Sequence, residues 1–238
     1  MWESICARLS EQLGNTVVYL GNSAVSGGCI HNAQVLDTNL GRFFVKINRP
    51  ECLSMFEAEA AGLRAIKESQ TIRCPDVLLF DVISKQAVLV LEFIPMQSAG
   101  PSSMTELGRQ LASLHEVTQA RFGWQLDNNI GSTPQLNPEE DDWIPFFKKH
   151  RLEFQITLCE GKGLKLQGKE QLLDKLETFF ADYAPSPSLL HGDLWGGNVG
   201  FDGSGHPVLF DPGCYFGDRE ADLAFTEMFG GFSSEFYQ

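Results

Sequence analysis

Two segments close in sequence constrain this chain most: Leu190-His191-Gly192-Asp193-Leu194-Trp195-Gly196-Gly197-Asn198, then Phe210-Asp211-Pro212-Gly213. Between them, Asn198-Val199-Gly200-Phe201 and Pro207-Val208-Leu209-Phe210-Asp211 read as strands around the turn signal Asp202-Gly203-Ser204-Gly205. An antiparallel hairpin centred in that turn sets Asn198 beside Asp211. Asp193 precedes Asn198 by five positions. Two carboxylates and an amide are therefore expected at one spot. Phosphoryl transfer needs such a set: a carboxylate to take the proton of an attacking hydroxyl, and oxygen ligands that hold Mg²⁺ on the phosphates. The bland alternative, a surface hairpin after a chance His-x-Asp, must explain three coincident features.

At 238 residues the chain is long enough for one or two domains with ample core. Its formal net charge of −13 argues against nucleic acid or an anionic membrane as the main partner, because both are bound through basic patches. No apolar run reaches the roughly 20 residues of a spanning helix. Met1-Trp2-Glu3-Ser4-Ile5-Cys6 lacks the basic start of a signal peptide, which makes a cytoplasmic location the default. Cys6, Cys29, Cys52, Cys74, Cys159 and Cys214 are scattered without a CxxC pair, so neither a zinc site nor a disulfide framework is expected.

The first part is strand-rich. Thr16–Leu20, Ala33–Asp37 and Arg42–Ile47 read as three strands, the last two joined by Thr38-Asn39-Leu40-Gly41. Phe56, Ala60, Leu63 and Ile66 then recur at helical spacing, and Val77–Val82 and Ala87–Leu91 read as two more strands. The second part is helical, with apolar stripes at Met104, Leu107, Leu111 and Leu114 and at Leu172, Leu173, Leu176, Phe179 and Phe180. Both stripes are expected to be core. The order β-β-β-α-β-β followed by helices fits an α+β, two-lobed, protein-kinase-like fold. It predicts a small antiparallel five-stranded sheet with one helix, then a larger, mainly helical lobe. The expected domains are a nucleotide-binding lobe at 1–94 and a catalytic and substrate lobe at 95–238.

Nucleotide contacts are expected in the first lobe. Gly27, Gly28 and Cys29 sit in a turn whose glycines let backbone N–H groups approach phosphate oxygens. Lys46 interrupts the apolar run Phe43-Phe44-Val45-Lys46-Ile47, a costly place for a charge without partners. Its functional reading is a phosphate contact held by a helix glutamate, Glu59 in preference to Glu57. Its bland reading is an edge-strand lysine facing water. Glu92, Phe93 and Ile94 are expected to offer backbone groups to the adenine edge.

Together these residues resemble the fructosamine (ketosamine) kinase family, within the aminoglycoside-phosphotransferase-like branch of the kinase fold. The likeness runs through essentially the whole chain. It is carried by Gly27-Gly28-Cys29-Ile30, Phe44-Val45-Lys46, Asn129-Ile130-Gly131 to Gln135 and Asn137, Trp143 with Phe146-Phe147, and the stretch from His191 to Asn198. Asp211-Pro212 and Tyr215-Phe216-Gly217-Asp218-Arg219-Glu220-Ala221-Asp222-Leu223 complete it. Trp195-Gly196-Gly197 and Gly217-Asp218-Arg219-Glu220 are the narrower markers.

The resemblance implies ATP-dependent phosphorylation of the sugar 3-hydroxyl of a ketosamine, the adduct left by glycation of an amine. The unstable product would then release the amine, a deglycation repair. It implies Asp193 as catalytic base, Asn198 and Asp211 as Mg²⁺ ligands, and Lys46 as phosphate contact. ATP and a glycated amine, free or on a protein lysine, are the implied partners, with the protein a monomer or homodimer. It also implies further helices after Phe229-Gly230-Gly231-Phe232, so the chain is expected to be cut short at its C-terminus. The alternatives are a kinase for an aminoglycoside- or choline-like amine and a nucleotide-binding regulator without turnover.

Trp195, Asp218 and Glu220 are candidate substrate residues. An aromatic face suits sugar C–H surfaces and cations, although Trp195 also suits plain loop packing. Arg219 and Asp222 are expected to buttress the catalytic loop, His191 to orient it, and His115 to be a packed or capping histidine. Cys29 is the one cysteine with a functional expectation, as an exposed, oxidisable thiol in the phosphate loop.

Overall fold

The computed structural model describes residues 1–25 and 32–238. Gly27, Gly28 and Cys29 lie outside the described residues. The chain opens with α1 (Trp2–Leu13), followed by β1 (Tyr19–Ala24), β2 (Asn32–Thr38) and β3 (Gly41–Asn48). Then come α2 (Leu53–Ser69), β4 (Val77–Ile83) and β5 (Gln86–Glu92). These strands form one five-stranded antiparallel sheet in the order β1-β2-β3-β5-β4.

The sheet is covered on both faces. Phe56, Ala60, Leu63 and Ile66 of α2 pack with Ala87, Leu89 and Leu91 of β5. Ile5, Cys6 and Leu9 of α1 pack with Val45, Ile47, Val88 and Val90 on the opposite face. The single helix expected for this lobe is therefore corrected to two. The signal for α1 was present: Trp2, Ile5, Cys6, Leu9 and Leu13 fall on one helical face. The first strand also lies further along, at 19–24 rather than 16–20.

After Glu92 the chain crosses to β6 (Met96–Gln97) and α3 (Ser103–His115). The short hairpin β7 (Asn128–Ile130) and β8 (Thr133–Gln135) follows, then α4 (Trp143–Phe147), a π-helical turn at Lys148–Glu153, α5 (Phe154–Gly161) and α6 (Lys169–Lys175). Next come β9 (Ser188–Leu190), β10 (Val199–Asp202), β11 (Pro207–Leu209), β12 (Tyr215–Gly217) and α7 (Glu220–Phe229). Leu107, Leu111 and Leu114 of α3 are fully buried among Leu189, Leu194 and Leu209, placing the central helix against the strands that carry the site.

The second apolar stripe behaves otherwise. Leu176 is buried, but Leu172 is 41% and Phe179 68% exposed. The expectation of a core stripe fails there: no residue of α6 is buried, and beyond it the 3₁₀ turn at Leu176–Phe180 takes Phe179 off the α-helical period.

Candidate active site

The hairpin forms where its turn chemistry placed it, one residue out of the expected register. β10 and β11 pair Val199 with Leu209 and Gly200 with Val208, and Phe210 N–H donates to the Asn198 carbonyl at 3.0 Å. Asn198 thus faces Phe210, and Asp211 is the next residue along. Asp211 has φ of 53°, a left-handed conformation that Asp tolerates better than most residues. This twist takes Asp211 out of strand pairing while it still lines the cavity with Asn198.

Asp193 and Asn198 are joined directly. Asn198 Nδ2 donates to the Asp193 carbonyl at 2.8 Å and to Asp193 Oδ2 at 3.1 Å. The amide nitrogen is thereby committed, which leaves Oδ1 as the atom Asn198 offers a cation. Burial raises the Asp193 carboxyl pKa above its ordinary value, against the opposing pull of His191 and Asn198. A carboxylate kept on the basic side of normal suits proton acceptance.

Lys46 lies on β3, the middle strand of the sheet, so the edge-strand reading does not apply. Nζ donates to Glu59 Oε1 at 2.7 Å and to Asp211 Oδ1. Burial is the largest influence on the Lys46 ammonium and disfavours it, yet Glu59 and Asp211 outweigh it, and its pKa is raised. Burial pushes the Glu59 carboxyl up to about 7, with Lys46 pulling the other way. Glu57, two positions earlier, is exposed and points elsewhere. One lysine therefore links α2 to the loop after β11.

The loop around Asp193 hangs on Asp222. That buried carboxylate accepts the His191 N–H and the Gly192 N–H at 2.8 Å each, and His115 Nε2–H at 2.9 Å. Burial disfavours its charge, but His115, His191 and the Gly192 N–H overcome this, and the pKa is lowered. His191 is fully buried and donates from Nε2 to the Phe210 carbonyl at 3.0 Å. Its Nδ1 then accepts the Asp193 N–H at 3.3 Å. Burial lowers the His191 pKa, in keeping with a neutral ring that orients the loop. Gly192 has φ of 81°, and a Cβ there would stand 2.1 Å from the Gly213 carbonyl oxygen. Only glycine fits that crossing.

Lys46, Glu59, Asp193, Asn198 and Asp211 line one cavity of about 680 Å³ between the five-stranded sheet and the helical part. Phe44, Leu91 and the segment Glu92, Phe93 and Ile94 line it too. Trp195, 42% exposed, also lines it, with its ring lying against Gly197. Asp218 and Glu220 are not brought to this cavity. Asp218 is buried and accepts the Tyr183 hydroxyl at 2.9 Å and the Glu220 N–H at 3.1 Å, just ahead of α7.

Asn128, to which sequence reasoning assigns no role, and Gln135, which the sequence marks only as part of the family resemblance, clamp the loop beside Asp211. Asn128 Nδ2 donates to the Cys214 carbonyl at 2.8 Å, and Gln135 Nε2 to the Gly213 carbonyl at 3.2 Å. The available signal was two amides flanking a short turn.

Comparison with known proteins decides the family. The family model described as fructosamine kinase matches residues 1–238. This chain belongs to the fructosamine kinase family. A "Probable ketoamine kinase" of Synechocystis sp. is 40% identical over 238 residues, covering 100% of this chain and 81% of that protein. The chloroplastic "Protein-ribulosamine 3-kinase" of Arabidopsis thaliana is 38% identical over 235 residues, covering 96% and 71%. A Haemophilus somnus crystal structure described as a "Putative fructosamine-3-kinase" superposes with a TM-score of 0.92 at 30% identity, covering 100% of this chain and 81% of that one. The aminoglycoside phosphotransferase APH(4)-Ia, solved with ADP and hygromycin B, gives a TM-score of 0.62 at 17% identity over 94% of this chain and 76% of its own, a likeness of fold. The two-lobed, kinase-like α+β architecture is that of this family. Among the described residues, no helix is long and apolar enough to cross a membrane.

Proposed function

We propose that this fructosamine kinase family member transfers the γ-phosphoryl group of ATP to the 3-hydroxyl of a ketosamine, and so serves deglycation of amines. The observation that carries the reading is the convergence of Asp193, Asn198, Lys46 and Asp211 on one cavity. The names carried by its relatives, ketoamine kinase and ribulosamine 3-kinase, support the acceptor class.

Each residue has a chemical task. The backbone of Glu92, Phe93 and Ile94 meets the adenine edge, while Phe44 and Leu91 cover its faces. Lys46, steadied by Glu59, meets the phosphates. Asp193 accepts the proton of the 3-hydroxyl as that oxygen forms its bond to phosphorus and the bond from phosphorus to the ADP oxygen breaks. Asn198 Oδ1 and the Asp211 carboxylate are hard oxygen donors, and two of them fit Mg²⁺, which otherwise keeps waters and phosphate oxygens. When bound, the metal neutralises charge on the phosphates. Trp195 offers an aromatic face to the sugar or its amine. The lobes divide at 1–94 and 95–238.

The deciding experiment offers Mg·ATP with fructosyl- and ribulosyl-amines, an aminoglycoside and choline, and locates the phosphate by NMR. Transfer to the 3-hydroxyl of a ketosamine supports the reading. Transfer to an aminoglycoside or choline alone replaces it. ATP binding without transfer to any acceptor favours a regulator.

A further inference from the structure

Outside the cavity lining, one arginine joins three parts of the fold. Arg73 lies in the loop between α2 and β4. Its Nη2 donates to Glu92 Oε1 at 2.9 Å, at the end of β5. Its Nη1 donates to Asp202 Oδ2 at 2.5 Å, at the end of β10. Its backbone carbonyl accepts the Leu209 N–H of β11 at 2.9 Å. Asp202 is itself held: Oδ1 accepts the Ser204 and His206 N–H groups at 2.9 and 3.1 Å. Glu92 Oε2 accepts the Asp76 N–H at 3.3 Å.

The two carboxylates belong to different halves of the nucleotide site. Glu92 begins the segment that would hold the base. Asp202 and Leu209 belong to the hairpin whose near ends are Asn198 and Asp211, which would hold the metal and phosphates. ATP spans both halves, and its own length demands a matching separation between them. A guanidinium fork is suited to setting that separation, because its donors leave one rigid plane in fixed directions. The side chain is 42% exposed, so as an ion pair it adds little to global stability. Its geometric role is separate from that.

We propose that Arg73 is a positioning residue that registers the adenine segment against the Asn198–Asp211 hairpin. This inference rests on the nucleotide reading of the cavity. It predicts a defect only for ligands long enough to touch both halves. Small misplacements of reacting groups cost rate heavily, on the order of a hundredfold for 1 Å.

The test uses the full chain and two variants, Arg73→Met and Asp202→Asn. The second leaves an oxygen to accept the Ser204 and His206 N–H groups while removing the charge facing Arg73. Calorimetry measures binding of adenosine, which reaches only the base segment, and of a non-hydrolysable ATP analogue with Mg²⁺. The expected result is unchanged adenosine affinity and roughly tenfold weaker binding of the Mg·nucleotide in both variants. Combined, they should be no worse than either alone, since they break one link. Equal affinity for both ligands in either folded variant and the wild type overturns the proposal. Parallel loss of both ligands overturns it as well, since that marks general loosening of the lobe. If Arg73→Met does not fold, Asp202→Asn alone decides. Failure of the wild type to bind the Mg·nucleotide is a different result, and it overturns the nucleotide reading together with this inference.

Discussion

Asp222 holds His191 by the backbone: its Oδ2 accepts the His191 N–H at 2.8 Å across 31 residues of sequence. The loop that presents Asp193 is therefore positioned by a carboxylate on α7, shared with Gly192 and His115. Three donors converge on one buried group.

Replacing Asp222 with Asn keeps one acceptor oxygen but turns the other into a donor facing an N–H group, and removes the charge that three donors share. Breaking a buried charged network of this kind costs about 3–5 kcal/mol. Denaturant unfolding should show that loss. The Asp222 pKa is depressed in the folded protein, so its stabilisation is present above the ordinary Asp range and disappears as pH falls through the lower folded value. A variant as stable as wild type at pH 7 would contradict the network.

Asp193→Asn should keep Mg·ATP binding and lose transfer, by about 10²–10⁴ for a general base. In the wild type, burial raises the Asp193 pKa, so the acid limb of kcat/KM should lie higher than that of an ordinary aspartate. The pH profile of ketosamine phosphorylation measures it. Normal turnover by the Asn variant would remove Asp193 from the role of base.

Glu59 gives a different pH signature. Its carboxyl pKa is raised from an ordinary 4.5 to about 7 on folding. Its favourable contribution is complete below 4.5 and is lost as pH rises through about 7. Glu59→Gln has no proton to shed, so this part of the wild-type decline should vanish from its stability profile between pH 5 and 8. Thermal unfolding across that range compares the two slopes. The same variant should also raise the KM for ATP, because the oxygen that accepts from Lys46 at 2.7 Å then carries no charge.

Trp195 rests its ring on Gly197, where an added Cβ would come within 2.2 Å of the indole. Gly197→Ala must therefore move the ring. The KM for the ketosamine should rise several-fold while that for ATP stays put. Equal KM values for the ketosamine in both proteins would return Trp195 to a packing role.

The sheet, α2, α3 and the hairpin were legible in the sequence because their signals are local. Continuous apolar runs in β3 and β5, helical spacing at Phe56, Ala60, Leu63 and Ile66, and the turn at Asp202–Gly205 each depend on near neighbours. α1 was equally local and was missed. Leu172 and Phe179 differ: α6 packs no residue into the core, and Phe179 lies past the point where the helix keeps one period.

Sequence alone determined which groups stand as candidates for the chemistry: Lys46, Asp193, Asn198 and Asp211 are unusual enough in type and spacing to stand out. Tertiary structure decided what those groups meet. Lys46 chose Glu59 over Glu57 because α2 turns only one of them toward β3. Asp211 left the strand register through a left-handed backbone angle that pairing arithmetic does not contain. Asp222 and Arg73 gained their roles from partners 31 and 129 positions away. Hydrogen bonds of that span depend on how lobes and loops pack, and no local pattern records it.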